Sequence, residues 1–204
     1  MSSERVASVR QRLYESYATT HAGCSSGEAT ALVYRRDIRP ALPSPGAGPV
    51  IDLGCGQSGL VALPLARPAP HAAITATDVP EHLGKAEVLE TFDQVVAALV
   101  PGGIFIARVP NAVSPLGGHI RYGDFTHESS FTVHSVAQLA AASGFVSVSI
   151  AECPPLAHGL ASAARLALWK PIGMLYRMAL AAETGIGRGH VVTQNLPLIA
   201  RKAE

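Results

Sequence analysis

The sequence contains few charged and few aromatic residues, and no excess of either charge. Of its 204 residues only 15% are charged and 5% are aromatic, whereas 48% are hydrophobic. Because the formal net charge is +1, the chain lacks the basic excess that attracts the phosphates of a nucleic acid. We therefore predict a globular protein with no nucleic-acid partner.

Cysteines and long apolar runs are also scarce. Cys24, Cys55 and Cys153 are too few and too scattered for a disulfide framework or a zinc knuckle. The N-terminus lacks the apolar stretch of a signal peptide, and no run of roughly 18 apolar residues would span a membrane. These absences predict a cytoplasmic protein, and the length is typical of one domain with a substantial core.

From residue 50 onwards, short apolar runs alternate with stretches whose apolar residues are three and four apart. Apolar runs indicate strands, and the spacing of three and four indicates helices. We expect strands at 50–53, 72–77, 104–109, 146–151 and 191–200, and helices at 81–99, 135–143 and 160–182, the last interrupted at Pro171. Pro197 places the final strand near an edge or a bulge. The alternation predicts an α/β sandwich with a largely parallel sheet.

The chain divides near residue 49. Residues 1–49 combine helical patterns with a run of prolines, and they predict an N-terminal helical cap followed by a stiff linker. Residues 50–204 form the predicted α/β domain, with a helical insertion at about 159–186. Within this domain Pro101-Gly102-Gly103 predicts a turn, and residues 110–131 predict a loop.

A glycine-rich segment follows the first predicted strand. Residues 50–59 read VIDLGCGQSG, which places Asp52 in the strand and Gly54, Cys55 and Gly56 in the turn after it. Glycines let a strand turn sharply into a helix and let a ligand approach backbone N–H groups. A purely structural turn uses the same glycines, but the neighbouring acid favours a site for a nucleoside-type cofactor.

The DLGCG form resembles the first motif of class I S-adenosylmethionine-dependent methyltransferases, rather than the GxGxxG of nicotinamide enzymes. DVPEHL at 78–83 is similar to the segment after that family's fourth strand. The resemblance implies a Rossmann-like sandwich with an antiparallel last strand, and S-adenosyl-L-methionine as cofactor. It further implies a cofactor pocket lined by Asp52, Gly54, Cys55, Gly56, Asp78 and His82.

The segment between these two motifs is short. Residues 60–77 are too few for the two strand–helix units that a complete fold of this family has there. Asp78 is therefore either the acid that binds the ribose hydroxyls, about 20 residues past the glycine loop, or the later pocket acid. The continuation Glu81-His82-Leu83 favours the later acid, and with it an abbreviated fold without the second and third strands. A homodimer could then cover the exposed first strand.

The predicted loop at 110–131 is dense in polar side chains for so weakly charged a chain. Imidazole can accept a proton near neutral pH, so we assign His127 as general base, Asp124 as its orienting partner and Arg121 as substrate anchor. The alternative is a loop whose side chains bond its own backbone. We predict no metal, because no ligand-spacing rule supports a site made from His119, Asp124 and His127.

Together these features predict methyl transfer from S-adenosyl-L-methionine to a hydroxyl of a small molecule or a sugar. The alternative is a degenerate protein of the same fold that binds a ligand or partner without catalysis. Residues 160–182 are expected to form a cap helix on the domain, or else to lie on a membrane surface as a peripheral contact.

Overall fold

A five-stranded sheet runs through the centre of the protein. The computed structural model describes residues 31–53 and 70–204. The strands are β1 (Val50–Leu53), β2 (His71–Thr77), β3 (Leu99–Pro110), β4 (Phe145–Ile150) and β5 (Asn195–Lys202). They lie in the order β1-β2-β3-β5-β4, and only β5 runs against its neighbours. The predicted α/β class, mostly parallel sheet and antiparallel last strand are therefore confirmed.

Helices connect the strands between residues 70 and 204. The α-helices there are α1 (Lys85–Ala98), α2 (Gly117–Gly123), α3 (Val133–Ala142) and α4 (Leu160–Thr184). Short turns of other helix types are formed by Tyr34–Ile38 and Arg39–Ala41 before β1 and by Pro80–His82 after β2. Among the described residues, no helix is both long enough and apolar enough to cross a membrane.

The two faces of the sheet are covered by different parts of the chain. Phe105 of β3 lies on one face, in a core that includes Phe92 of α1 and Val136 of α3. Because successive strand residues point to opposite faces, Ile104 lies on the other face. There it belongs to a smaller cluster with Ile38, so residues of the predicted N-terminal cap and linker pack on the sheet.

Residues 54–70 join β1 to β2, which are neighbours in the sheet. A parallel connection needs about a dozen residues or more, so this segment is long enough for one crossover. A complete doubly wound sheet has the strand order 3-2-1-4-5-6, in which the first strand lies between the second and the fourth and the third strand lies at the edge. If β2 and β3 were the second and third strands, β3 would lie at the edge, but it pairs with both β2 and β5. β2 and β3 therefore take the positions of the fourth and fifth strands. The absence of strands 2 and 3 stays a prediction, because residues 54–69 lie outside the described part.

The predicted turn at Pro101-Gly102-Gly103 is a bulge inside β3. His71 pairs with Leu99, and two residues later Ala73 pairs with Ile104, so β3 takes five steps where β2 takes two. Gly102 adopts a φ of +70°, a left-handed conformation that glycine tolerates without a steric penalty. The chain therefore starts the strand directly after α1 and accommodates the extra residues within it.

α4 runs through Pro171 without the predicted interruption. A proline removes the hydrogen bond to the carbonyl four residues earlier, which here belongs to Ala167. Both residues are exposed, so water can hydrate the carbonyl that loses its partner. Many apolar side chains of α4 are exposed as well; they include Leu160, Leu168, Met174, Leu175 and Met178.

Of the two positions predicted for Pro197, an edge or a bulge, the edge is wrong, because β5 lies between β3 and β4. The N–H and C=O groups of one residue in an antiparallel strand point to the same neighbour. The carbonyl oxygen of Pro197 accepts a hydrogen bond of 3.1 Å from the N–H of Ala151, just beyond the end of β4. The missing N–H of Pro197 therefore falls where β4 has already ended.

Candidate functional site

The carboxyl ends of β1, β2 and β3 lie along one edge of the sheet, because these strands are parallel. Ligands of open α/β sheets bind in the crevice at this edge. Asp52 lies near the end of β1, Asp78 directly follows β2, and residues 111–131 follow β3. The topology thus gathers the residues predicted from separate motifs.

Asp52 is half-buried, and its Oδ1 accepts a hydrogen bond from the hydroxyl of Thr75 on the neighbouring strand. Burial raises the pKa of Asp52, and the hydrogen bond from Thr75 partly opposes that shift. A carboxylate that has lost hydration is stabilised when a cation approaches it. The predicted cofactor residues Gly54, Cys55 and Gly56 lie outside the described residues.

Asp78 ends β2 in a strained backbone conformation. Its φ of 54° lies in the left-handed region, which residues other than glycine rarely adopt. Its N–H donates to the carbonyl oxygen of Arg108 at 3.1 Å, and its Oδ2 lies 3.5 Å from Nη1 of the same arginine. Loss of hydration raises its pKa and the charge of Arg108 opposes the rise, yet 46% of its side-chain surface is accessible. The Asp78 side chain therefore stays accessible to a ligand.

Glu81, which is not among the predicted site residues, is buried close to Asp78. Only 1% of it is exposed, and burial together with the negative charge of Asp78 raises its pKa to about 8. Its backbone carbonyl accepts hydrogen bonds from the N–H groups of Glu128 at 2.7 Å and Ser129 at 3.0 Å. These bonds fasten the loop after α2 to the end of β2.

His82 and His127 come from different segments and pack against each other. Their ring centroids are 4.8 Å apart in an edge-to-face arrangement, with 69° between the ring planes. Nδ1 of His82 lies 2.8 Å from the hydroxyl oxygen of Thr126, and Nδ1 of His127 lies 3.0 Å from the carbonyl oxygen of Ile120. The structure thus brings the residue predicted for the cofactor next to the residue predicted for catalysis.

The side chains of Asp124 and Arg121 form hydrogen bonds to other residues of their own loop. Oδ1 of Asp124 accepts hydrogen bonds from the N–H and the hydroxyl of Thr126 at 2.8 and 2.7 Å, and its Oδ2 lies 3.9 Å from Nε2 of His127. The Arg121 guanidinium donates to the backbone carbonyl oxygens of His127 and Glu128. The roles of Asp124 as orienting partner and Arg121 as substrate anchor stay predictions. The contacts favour loop positioning for Arg121.

Comparison with known proteins identifies structures but no sequence relatives. No family model matches the chain, and no curated protein matches it. Among solved structures, an S-adenosylmethionine-dependent methyltransferase from Archaeoglobus fulgidus is 16% identical with a TM-score of 0.63, over 91% of this chain and 99% of that one. Another from Thermotoga maritima is 12% identical with a TM-score of 0.58, over 93% and 94% of the two chains.

A third similar structure was determined with a ligand. It is phosphoethanolamine N-methyltransferase 2 of Haemonchus contortus in complex with S-adenosyl-L-methionine, 12% identical with a TM-score of 0.52, over 96% of this chain and 57% of that one. The chain has the fold of the class I S-adenosylmethionine-dependent methyltransferases. At such low identity the likeness concerns the fold alone.

The methyltransferase fold explains why these side chains converge. Two of them, Glu81 and Thr126, were not predicted from the sequence. The signal for Glu81 is the acid between Pro80 and His82 in the DVPEHL motif. No sequence pattern indicates Thr126. Its hydroxyl contacts both His82 and Asp124, and these contacts exist only once the loop has folded. His119, by contrast, lies exposed on α2.

Proposed function

We propose that this protein is an S-adenosylmethionine-dependent methyltransferase that acts on a hydroxyl of a small molecule or a sugar. One observation carries the proposal: Asp52 and Asp78 lie at the carboxyl ends of neighbouring parallel strands of a methyltransferase fold. Burial raises the pKa of both carboxyl groups, so each is stabilised when a cation approaches it. The cofactor bears a positive sulfonium and a positive amino group, so it fits a site with two such carboxylates.

The positions of Asp52 and Asp78 indicate which residues would contact the cofactor. Asp52 would hold the amino-acid part, and Asp78 with His82 would line the pocket beside it. S-adenosyl-L-methionine, when bound, supplies a methyl group carried on a positively charged sulfur. The chain's own contribution is to hold the acceptor in line with that methyl group, which supplies most of the acceleration in a direct transfer.

His127 would take the proton that the acceptor loses. Its Nδ1–H donates to the carbonyl oxygen of Ile120, which leaves the lone pair on Nε2. This Nε2 would accept the proton that the acceptor hydroxyl loses when it takes the methyl group from the bound cofactor. Asp124, 3.9 Å away, stabilises the resulting positive imidazolium.

A base next to the acceptor supports a hydroxyl as the methylated group. A hydroxyl becomes a good nucleophile only as it loses its proton, whereas a neutral amine attacks with a lone pair that it already has. The similar protein from Haemonchus contortus is an N-methyltransferase, so amines belong among the acceptors to be compared.

Labelled methyl transfer tests the proposal. The purified chain is incubated with methyl-labelled S-adenosyl-L-methionine and a panel of sugars, small alcohols, phenols and amines, with an acceptor-free reaction as control. We expect label in one or more hydroxyl acceptors together with formation of S-adenosylhomocysteine. Transfer to amines alone would overturn the hydroxyl assignment. A folded chain that binds S-adenosylhomocysteine but transfers nothing would support the degenerate alternative.

A further inference from the structure

We propose that Glu81, His82 and His127 form a binding site for a divalent metal ion of the zinc class. One ligand-type atom from each of these three side chains lies within 4.8 Å of the others. A carboxylate and two imidazoles are a ligand set that zinc uses in catalytic sites, where the fourth position stays open. No ion-binding role follows from the methyltransferase fold, so the site goes beyond the proposed function.

The buried carboxylate of Glu81 is the first observation that points to a ligand. The residue is 1% exposed, and in the part of the chain that the structure describes its Oε2 has no hydrogen-bond partner. A buried polar atom without a partner is costly, and native structures rarely keep one unless an ion or another ligand satisfies it. Glu81 lies against the two histidines, so a cation between them would satisfy that oxygen.

The hydrogen bonds of His82 fix which of its nitrogens can bind an ion. The Thr126 hydroxyl donates its single proton to Oδ1 of Asp124 at 2.7 Å. It must therefore accept from Nδ1–H of His82, 2.8 Å away. The proton on Nδ1 leaves the lone pair of His82 on Nε2. Such a relay from imidazole to a carboxylate is how proteins orient histidines that bind metals.

His127 has the same arrangement with a different partner. The carbonyl oxygen of Ile120 can only accept, so Nδ1 of His127, 3.0 Å away, carries the proton. Both imidazoles therefore keep their lone pairs on Nε2.

Two ligand atoms of a tetrahedral zinc ion are about 3.4 Å apart, given bonds of about 2.0–2.1 Å. The three ligand atoms lie within 4.8 Å of one another, so binding would draw the farthest pair together by no more than about 1.4 Å.

An ion at this position would change how the acceptor loses its proton, and this consequence rests on the proposed function. The lone pair of His127 would bind the ion and would no longer accept a proton. A hydroxyl bound at the open position would instead lose its proton to water, because a divalent cation lowers the pKa of a bound hydroxyl. Binding of the ion itself requires neither cofactor nor acceptor.

Zinc titration of the full chain tests the site. The protein is stripped with a chelator and titrated with Zn²⁺ by calorimetry, and Co²⁺ is used to record the visible absorption that reports its coordination. We expect one ion per chain, with the affinity lowered about a hundredfold or more in both Glu81→Gln and His82→Ala. We expect Thr126→Val to lower it about ten- to hundredfold by releasing His82.

Matched variants separate this site from other groups that bind zinc. His119→Ala removes an exposed histidine of α2, and Thr91→Val removes a hydroxyl that bonds the carbonyl of Glu87 on α1. Both should leave the affinity unchanged, and circular dichroism should show each variant folded. No saturable binding by the folded wild-type chain, or unchanged affinity in folded Glu81→Gln and His82→Ala, would overturn the proposal. Neither result would bear on methyl transfer, since the titration contains no cofactor.

Discussion

Replacing His127 with alanine in the chelator-stripped, metal-free protein is expected to slow methyl transfer by about a hundredfold or more, because a positioned general base contributes roughly 10²–10⁴ in rate. The rate is measured as S-adenosylhomocysteine released with the best acceptor of the panel at saturation. Affinity for S-adenosylhomocysteine should stay within about twofold of the wild-type value, since the variant keeps Asp52 and Asp78.

His119→Ala is the matched control for this prediction. Both histidines belong to the segment between β3 and α3, but His127 packs against His82, whereas His119 is exposed on α2. We expect the control to keep the wild-type rate. If His127→Ala also kept the full rate, His127 would have no part in the chemistry.

Phe105→Ala is expected to lower the free energy of unfolding by about 3–5 kcal/mol, because it leaves a large cavity in the core. Phe105 is completely buried in β3. Its ring centroid lies 5.2 Å from that of Phe92 on α1 and 6.0 Å from that of Phe145 on β4. The side chain thus joins the sheet to the helix that covers it. Urea unfolding of both proteins measures the difference.

Phe125→Ala makes the same chemical change at the surface. The Phe125 side chain is 86% exposed, so its removal should alter the free energy of unfolding by less than about 0.5 kcal/mol. An equally small change in Phe105→Ala would contradict the position of Phe105 in the core. It would also contradict the way β3 packs against α1.

Local sequence patterns located most of the elements that position the site. The apolar run at 50–53 is β1, and the runs at 72–77 and 104–109 lie within β2 and β3. The patterns failed where the three-dimensional context decides the outcome. The sequence predicts a turn at Gly102, but β3 pairs with β2 on both sides of this residue, so Gly102 lies in a bulge of β3. Gly117 and Gly118 are poor helix formers, yet they begin α2 in a segment predicted as loop.

The candidate site shows the same division between local and distant information. Asp78 and His82 could be predicted because a short motif contains both. The contact between His82 and His127 could not, since it depends on how the loop after α2 folds back on the end of β2. Arg121 illustrates the limit for individual roles. An arginine among polar residues reads as a substrate anchor, whereas its guanidinium donates to two carbonyl oxygens of its own loop.

Calorimetric titration with S-adenosylhomocysteine tests most directly whether the acidic strand ends form a cofactor site. The product lacks the transferable methyl group, so binding is measured without reaction. We expect micromolar binding to the wild-type chain and a loss of roughly ten- to hundredfold in Asp52→Ala, because hydrogen bonds to a charged group contribute about 1.5–3 kcal/mol. Asp93→Ala, which removes an exposed carboxylate from α1, should bind normally. No binding at millimolar ligand by a cooperatively folded wild-type chain would contradict the account.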